Sequence, residues 1–211
     1  MLYAAGSVQD IQVDADHLCG LTWFGQLLWF ADSGREQVVG VDPFTGKAVQ
    51  THAAAGLTCG LAVLGSNLMY AAGPGSGLVL LDPVTGVQAG EVRNPRPGEP
   101  IRAMEATREG VWTGYRDYLD LRAVADWSLV TSISLLGPVS GVTMTDNYLL
   151  YADPKRECIA LIDPDLEQEV LPINVHGRPT GLAWDGNRVW YCDQSYSRLR
   201  AIDVPGILGS R

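Results

Sequence analysis

Arg102 and Glu105 are the most conspicuous candidates for chemistry in this sequence of 211 residues, because they lie only three positions apart. An arginine can bind an anionic substrate beside a carboxylate that acts as general acid or base. The same two side chains would also suit a structural ion pair, since a carboxylate near a channel needs a partner or water. We predict catalytic roles for Arg102 and Glu105 and leave the ion pair open as the alternative.

Two histidines provide further acid–base candidates. His17 and His176 lie in loops that lead into the first and last of the repeats described below. A single loop histidine is commonly solvated, but these two would become neighbours if the repeats close into a ring. We therefore add His17 and His176 to the predicted catalytic residues.

Cys19 and Cys59 occupy the same position in successive repeats, each directly before a Gly-Leu pair. Two thiols at one site can bind a soft metal ion, and His17 would be the third ligand. Alternatively, both are small packing residues where strands crowd together. Cys19 and Cys59 are the predicted metal ligands, the ion being soft or divalent, and we predict no organic cofactor.

Polar residues recur at two further positions of the repeat. One position precedes the Gly-Leu pair and includes Ser140 and Thr180; the other ends the second strand of each repeat. Three aspartates at strand ends can bind Ca²⁺ or Mg²⁺, or each can cap its own turn. The predicted ligand-binding residues are Tyr115, Ser140, Thr180, Asp32, Asp153 and Asp193.

These residues belong to five repeats of about forty residues, whose Gly-Leu pairs or equivalents start near 20, 60, 103, 141 and 181. A large apolar residue follows nine positions later, and four repeats have an aspartate at the twenty-third position. Each repeat reads as four short strands separated by Gly, Asn, Asp and Pro turns, for example Asp42-Pro43-Phe44-Thr45-Gly46. Four strands per repeat predict the blades of a β-propeller.

The two ends of the sequence predict how this ring closes. The last repeat lacks a fourth strand, and residues 8–13 form a strand that precedes the first repeat. If that strand completes the last blade, no long sheet edge remains between the ends. We predict an all-β, five-bladed propeller that spans residues 1–211 as one domain.

The repeat consensus resembles a known superfamily. Its fullest copy, residues 179–190 (PTGLAWDGNRVW), looks like the blade repeat of streptogramin (virginiamycin B) lyases, gluconolactonase-type lactonases and glutamine cyclotransferases. The glutamine cyclotransferases, which have five blades, match best in size. The resemblance implies a propeller enzyme; it is one of blades, and no catalytic residue is carried over from it.

Composition limits the partners. The net charge of −9 at pH 7 disfavours nucleic acid and anionic membranes. Four cysteines without a dense framework and an N-terminus without a visible signal peptide lead us to expect a cytoplasmic protein. Positive residues nevertheless gather in the loops of one rim, which suits a small polar or anionic molecule; they include Arg35, Arg116, Lys155, Arg156 and Arg198.

The sequence therefore favours a small-molecule enzyme of lyase, cyclase or hydrolase type that acts at the mouth of the central channel. The alternative is a non-catalytic propeller that binds a ligand, a metal ion or a protein.

Overall fold

The structure is a computed structural model that describes residues 3–73 and 77–204. The ends of the predicted 1–211 domain, and the loop at 74–76, lie outside the described residues. Within the described ranges the chain folds as β-strands joined by short turns, and they contain no helix with the length and apolar character that a membrane crossing requires.

The strands form five blades. The chain begins with β1 (Tyr3–Ala4) and β2 (Gln9–Gln12). Blade 1 contains β3 (Leu18–Phe24), β4 (Leu27–Asp32), β5 (Gln37–Val41) and β6 (Ala48–Ala53). Blade 2 contains β7 (Leu57–Leu64), β8 (Asn67–Ala72), β9 (Gly77–Leu81) and β10 (Gln88–Arg93). Blade 3 contains β11 (Ala103–Ala106), β12 (Val111–Gly114), β13 (Tyr118–Arg122) and β14 (Leu129–Ser134). Blade 4 contains β15 (Gly141–Met144), β16 (Leu149–Asp153), β17 (Cys158–Asp163) and β18 (Gln168–Asn174). Blade 5 contains β19 (Pro179–Trp184), β20 (Val189–Asp193) and β21 (Arg198–Ile202).

Neighbouring strands within each blade are antiparallel, so the predicted all-β, five-bladed propeller is confirmed. The N-terminal strand β2 lies at the outer edge of blade 5, with Gln9 opposite Ala201 and Gln12 opposite Arg198. At the inner end of the blades, Thr180 Oγ1 donates a hydrogen bond to the carbonyl oxygen of Leu18 at 3.1 Å. The last blade therefore contacts the first one.

The first strand was not predicted. β1 runs parallel to β18, with Tyr3 opposite Ile173, and adds a fifth strand to blade 4. Its two residues are too few to show an alternating pattern. The N-terminal segment consequently touches two blades, because β1 lies on blade 4 and β2 on blade 5.

Apolar clusters fill the spaces between the blades. The tryptophans of the second strands lie at their centres, and Trp29 and Trp190 are at most 1% exposed. Trp29 and Trp190 are therefore core residues. A buried aromatic side chain of this size contributes about 1.5–3 kcal/mol through its apolar area.

Glycines bring the five inner strands together at the centre of the ring. A Cβ on Gly20 would lie 2.9 Å from the backbone nitrogen of Leu61, and one on Gly181 would lie 2.7 Å from the carbonyl carbon of Gly20. Gly141 approaches Gly181 in the same way. No room for a water molecule remains among these strands. The glycine ring therefore forms a closed floor across the channel.

Candidate ligand site at the channel mouth

A cavity of about 530 Å³ lies above this floor. Its volume is in the range of small-molecule sites, roughly 300–1,000 Å³. The loops that enter each blade supply most of the lining, and two loops between second and third strands supply the rest. The lining residues are His17, Cys19, Thr58, Cys59, Arg102, Pro138, Val139, Ser140, Pro154, Lys155, Arg178, Thr180 and Gln194.

The repeat position before the floor residue forms a ring around this cavity. All five of its members line the cavity: Cys19, Cys59, Arg102, Ser140 and Thr180. The hydroxyl of Ser140 donates to the carbonyl oxygen of Pro179 at 3.0 Å, so this side chain also joins blades 4 and 5. Predicted catalytic, metal and ligand-binding residues thus meet at one place.

The cavity carries positive charge. Arg102, Lys155 and Arg178 line it with exposed side chains, while no aspartate or glutamate occurs among the lining residues. None of the three cations forms an ion pair with a described residue. In a chain with a net charge of −9, this local excess of positive charge favours an anionic ligand.

Asp32, Asp153 and Asp193 do not reach the cavity, which corrects their predicted role as direct ligand groups. All three are 0% exposed, and each accepts backbone hydrogen bonds inside its own blade. Asp32 accepts from the amide of His17 at 2.9 Å, Asp153 from that of Lys155 at 2.9 Å, and Asp193 from that of Arg178 at 3.2 Å. The three aspartates therefore cap local turns, which is the alternative that the sequence left open. Through these hydrogen bonds they hold the loops that carry cavity residues.

His17 is held at both ring nitrogens. Nδ1 lies 2.7 Å from Ser33 Oγ, and Nε2 lies 2.9 Å from Gln194 Nε2. The same Gln194 nitrogen donates to the carbonyl oxygen of Leu18 at 3.0 Å, which identifies it as the amide donor. Nε2 of His17 therefore accepts, and Nδ1 carries the proton that is donated to Ser33. The hydrogen bond with Cys19 raises the pKa of this imidazole above its ordinary value.

The two cavity thiols differ in acidity. Cys59 Sγ lies 2.9 Å from the carbonyl oxygen of Cys19. Hydrogen bonding from the Cys59 thiol, aided by His17 and Ser33, lowers the pKa of Cys19 to about 6, whereas the pKa of Cys59 is raised well above its ordinary value. Cys19 is consequently the more acidic of the two thiols.

Glu105 lies apart from this site. It lies two residues after Ala103, which occupies in blade 3 the place that a floor glycine has in the other blades. Glu105 does not line the cavity. No described residue forms a hydrogen bond or ion pair with it, so the predicted pairing with Arg102 is absent from the described chain. Burial raises the pKa of Glu105 to about 8, and the side chain is uncharged at neutral pH.

Tyr115 and His176 also lie away from the cavity. Tyr115 is 1% exposed, and its hydroxyl has no hydrogen-bond partner among the described residues. His176 is exposed on its loop, where its carbonyl oxygen accepts from the hydroxyl of Tyr191 at 3.0 Å. Neither side chain supports the ligand-binding or catalytic role that the sequence suggested.

The described residues contain no group of three His, Cys, Asp or Glu side chains that could hold a metal ion. Cys19 and Cys59 are the two sulfur donors at the cavity. A metal ion bound there would need a ligand from outside this set.

Sequence reasoning missed Arg178, although the repeat contains a signal for it. Arg178, His17 and Pro138 each lie three residues before a floor glycine, and all three line the cavity. If this repeat position had been compared across the blades together with the position directly before the glycine, Arg178 would have been placed beside His17.

Comparisons with known proteins support the fold. No protein-family model and no curated protein matches the sequence. Among solved structures, the Myxococcus xanthus glutaminyl cyclase superposes with a TM-score of 0.80 at 12% identity, over 94% of this chain and 95% of that one. A streptogramin B lyase gives a TM-score of 0.56 at 14% identity, over 93% and 70% of the two chains. Hydrazine synthase of Kuenenia stuttgartiensis gives 0.60 at 13% identity, over 95% and 80%.

The first two similarities fall in the superfamily that the blade repeat resembles. At such low identity they show a shared propeller fold, and they transfer no residue role to this chain.

Proposed function

We propose that this chain binds a small anionic molecule at the channel mouth and catalyses a lyase, cyclase or hydrolase reaction on it without an organic cofactor. The observation that carries the proposal is the cavity of about 530 Å³ lined by Arg102, Lys155 and Arg178 and by no carboxylate. Carboxylate, phosphate and sulfate groups fit this charge.

Arg102 is the main anion-binding group in this proposal. It belongs to the ring of residues just above the floor, whereas Lys155 and Arg178 lie in the loops above. A guanidinium can bind a carboxylate with two parallel hydrogen bonds and needs no partner from the protein. The reacting part of the ligand would then lie among His17 and the two thiols.

His17 is the proposed proton acceptor. Its Nε2 carries a lone pair that now receives the Gln194 amide, and Gln194 itself lines the cavity. A substrate that displaces Gln194 brings its proton to this nitrogen, and the nearby Cys19 thiolate stabilises the resulting imidazolium. Two propellers with a similar fold are named as enzymes, a glutaminyl cyclase and a streptogramin B lyase, and this likeness is consistent with a catalytic function.

The second candidate function is ligand binding without turnover. The contact between Gln194 and His17 favours it, because Nε2 is already occupied in this structure. The two functions share the anion site and differ in whether His17 exchanges a proton with the ligand.

Binding is tested by titrating a panel of small carboxylates and phosphates by calorimetry, with Arg102→Gln as the variant and Arg108→Gln as the control. Arg108 is also exposed and lies outside the cavity lining. We expect Arg102→Gln to weaken binding about tenfold or more, since a hydrogen bond to a charged group is worth about 1.5–3 kcal/mol. Equal binding by both variants would contradict the site.

Catalysis is tested on the ligands that bind. His17→Gln should retain binding and lose turnover, because the amide fills the same space but accepts no proton at neutral pH. Turnover unchanged in His17→Gln would remove His17 from the mechanism, and binding without turnover in the natural chain would establish the second candidate.

A further inference from the structure

The proposed acid–base function does not use the two cavity thiols as reacting groups. Cys19 and Cys59 begin equivalent inner strands of neighbouring blades, and Cys59 Sγ contacts the carbonyl oxygen of Cys19 at 2.9 Å. Gly20, the next residue, approaches blade 2 so closely that a Cβ there would lie 2.9 Å from the nitrogen of Leu61. The Cys59 thiol therefore lies against the backbone of Cys19, and a disulfide joins cysteines on neighbouring segments that approach each other in this way.

The two thiols also share access to the cavity. Cys19 and Cys59 both line it, whereas Cys158 and Cys192 are free but buried cysteines that do not line it. Cys19 and Cys59 are therefore the pair that a bound disulfide would meet.

Access to the pair is restricted by size and charge. Only 2% of Cys19 is exposed, and it is reached through the cavity that it lines. A cavity of about 530 Å³ has a size that suits a small disulfide. Arg102, Lys155 and Arg178 line this cavity and favour small molecules with negative charge.

We propose that Cys19 and Cys59 form a thiol–disulfide exchange site for low-molecular-weight disulfides that carry carboxylates. This inference rests on the proposed anion site, because the same cations bind the carboxylates.

The exchange has two steps. The thiolate of one cysteine of the pair attacks one sulfur of the small disulfide, a mixed disulfide forms on that cysteine, and the other half of the reagent leaves as a thiolate that takes up a proton. The second cysteine then loses its proton, to His17 or to the departed thiolate, and attacks the sulfur of the first cysteine. The second half leaves as a thiolate and takes up a proton, so the protein has lost two electrons and two protons, and the substrate has become two thiols.

The test exposes the reduced full-length chain to three reagents that differ in charge: dithiodiglycolate, hydroxyethyl disulfide and cystamine. Intact mass and non-reducing peptide maps follow the reaction. We expect a loss of two hydrogen atoms, a link between Cys19 and Cys59, and a rate for dithiodiglycolate about tenfold above that for cystamine. Absence of the link with all three reagents, or a rate independent of their charge, would overturn the proposal.

Variants test the pair. Cys59→Ser and Cys19→Ser should each stop at a mixed disulfide on the remaining cavity cysteine and prevent the intramolecular link, while Cys192→Ser should react like the natural chain. Mixed disulfides that form only on cysteines outside the cavity would refute the exchange site. Thermal unfolding monitors whether each variant folds. The dependence of the exchange rate on reagent charge is measured in the natural chain and needs no variant.

Binding of succinate, which has no disulfide, separates this inference from the proposed function. Succinate binding without thiol exchange refutes the exchange site alone. If succinate does not bind and the exchange rate is the same for all three reagents, the anion site and the exchange site both fail.

Discussion

At the scale of single residues, the repeat columns located the cavity side chains but not their exposure. The repeat position before the floor residue places Cys19, Arg102 and Thr180 at the channel mouth, because equivalent positions in the five blades lie at the same depth along the channel. Glu105 is only three residues further along, yet it lies apart from the cavity with Ala103 of the floor between. The position of a residue within the repeat determines its depth along the channel. Its partners and its contact with water depend on the neighbouring blade.

Glu105→Gln should stabilise the protein near neutral pH. The unfolded chain ionises this carboxyl above its ordinary pKa of 4.5, while the folded chain keeps it protonated up to about pH 8. Stability is therefore lost as the pH rises through this window, and the glutamine variant avoids that loss. We expect a gain of about 2 kcal/mol in unfolding free energy at pH 7 and a much smaller one at about pH 5.

Urea unfolding at both pH values provides the measurement for Glu105, and Glu91→Gln is the matched control. Glu91 is exposed on an outer strand, so its variant should show little change at either pH. A gain that is the same at both pH values would show that ionisation of Glu105 is not its cause.

At the scale of elements, turn chemistry and alternation predicted most strands, and tertiary contacts decided the rest. The Asp-Pro-Phe-Thr-Gly turn predicts that the third strand of the first repeat ends before Asp42, and β5 ends at Val41. Asp42 Oδ1 accepts from the amides of Phe44 and Thr45 at 2.8 Å in that turn. Strand β3 begins at Leu18, two residues before the Gly-Leu pair that marks the repeat. Nothing local indicates β1, whose partner β18 is remote in sequence.

Deleting residues 1–13 should destabilise the propeller strongly. The deletion removes β2 together with the buried side chains of Ile11 and Val13, and it exposes the edge of β21. Two buried aliphatic side chains are worth roughly 3 kcal/mol or more, so we expect at least this loss in urea unfolding, together with self-association on size exclusion.

Deleting only residues 1–7 is the control for the longer deletion, because it removes β1 and keeps β2. Its loss should be clearly smaller, since the main buried contact it removes among the described side chains is Ala5. If both deletions unfold at the same urea concentration as the full chain, β2 does not secure blade 5.

At the scale of the whole molecule, the closed floor links stability to the candidate site. Four of the five inner strands have glycine at the floor, and Gly20, Gly141 and Gly181 approach the neighbouring backbone too closely for a side chain, while blade 3 has Ala103 there. The ring of cavity residues lies directly above these floor residues. The glycine repeat is visible in the sequence, but the close approach of inner strands from neighbouring blades is visible only in the structure. Any change that widens the floor should therefore also disturb the cations and thiols above it.

Gly141→Ala tests this link in the intact ring. A Cβ at Gly141 would lie 2.8 Å from the backbone of Gly181, and backbone on that side can yield only by moving blades 4 and 5 apart. Overpacking of this kind costs about 1–3 kcal/mol, and we expect a lower melting temperature together with weaker anion binding. Gly6→Ala is the control, since no atom lies within 4 Å of its Cβ position. A Gly141→Ala variant that melts and binds anions like Gly6→Ala would show that the floor accepts a side chain, and that the mouth does not depend on the close approach of the inner strands.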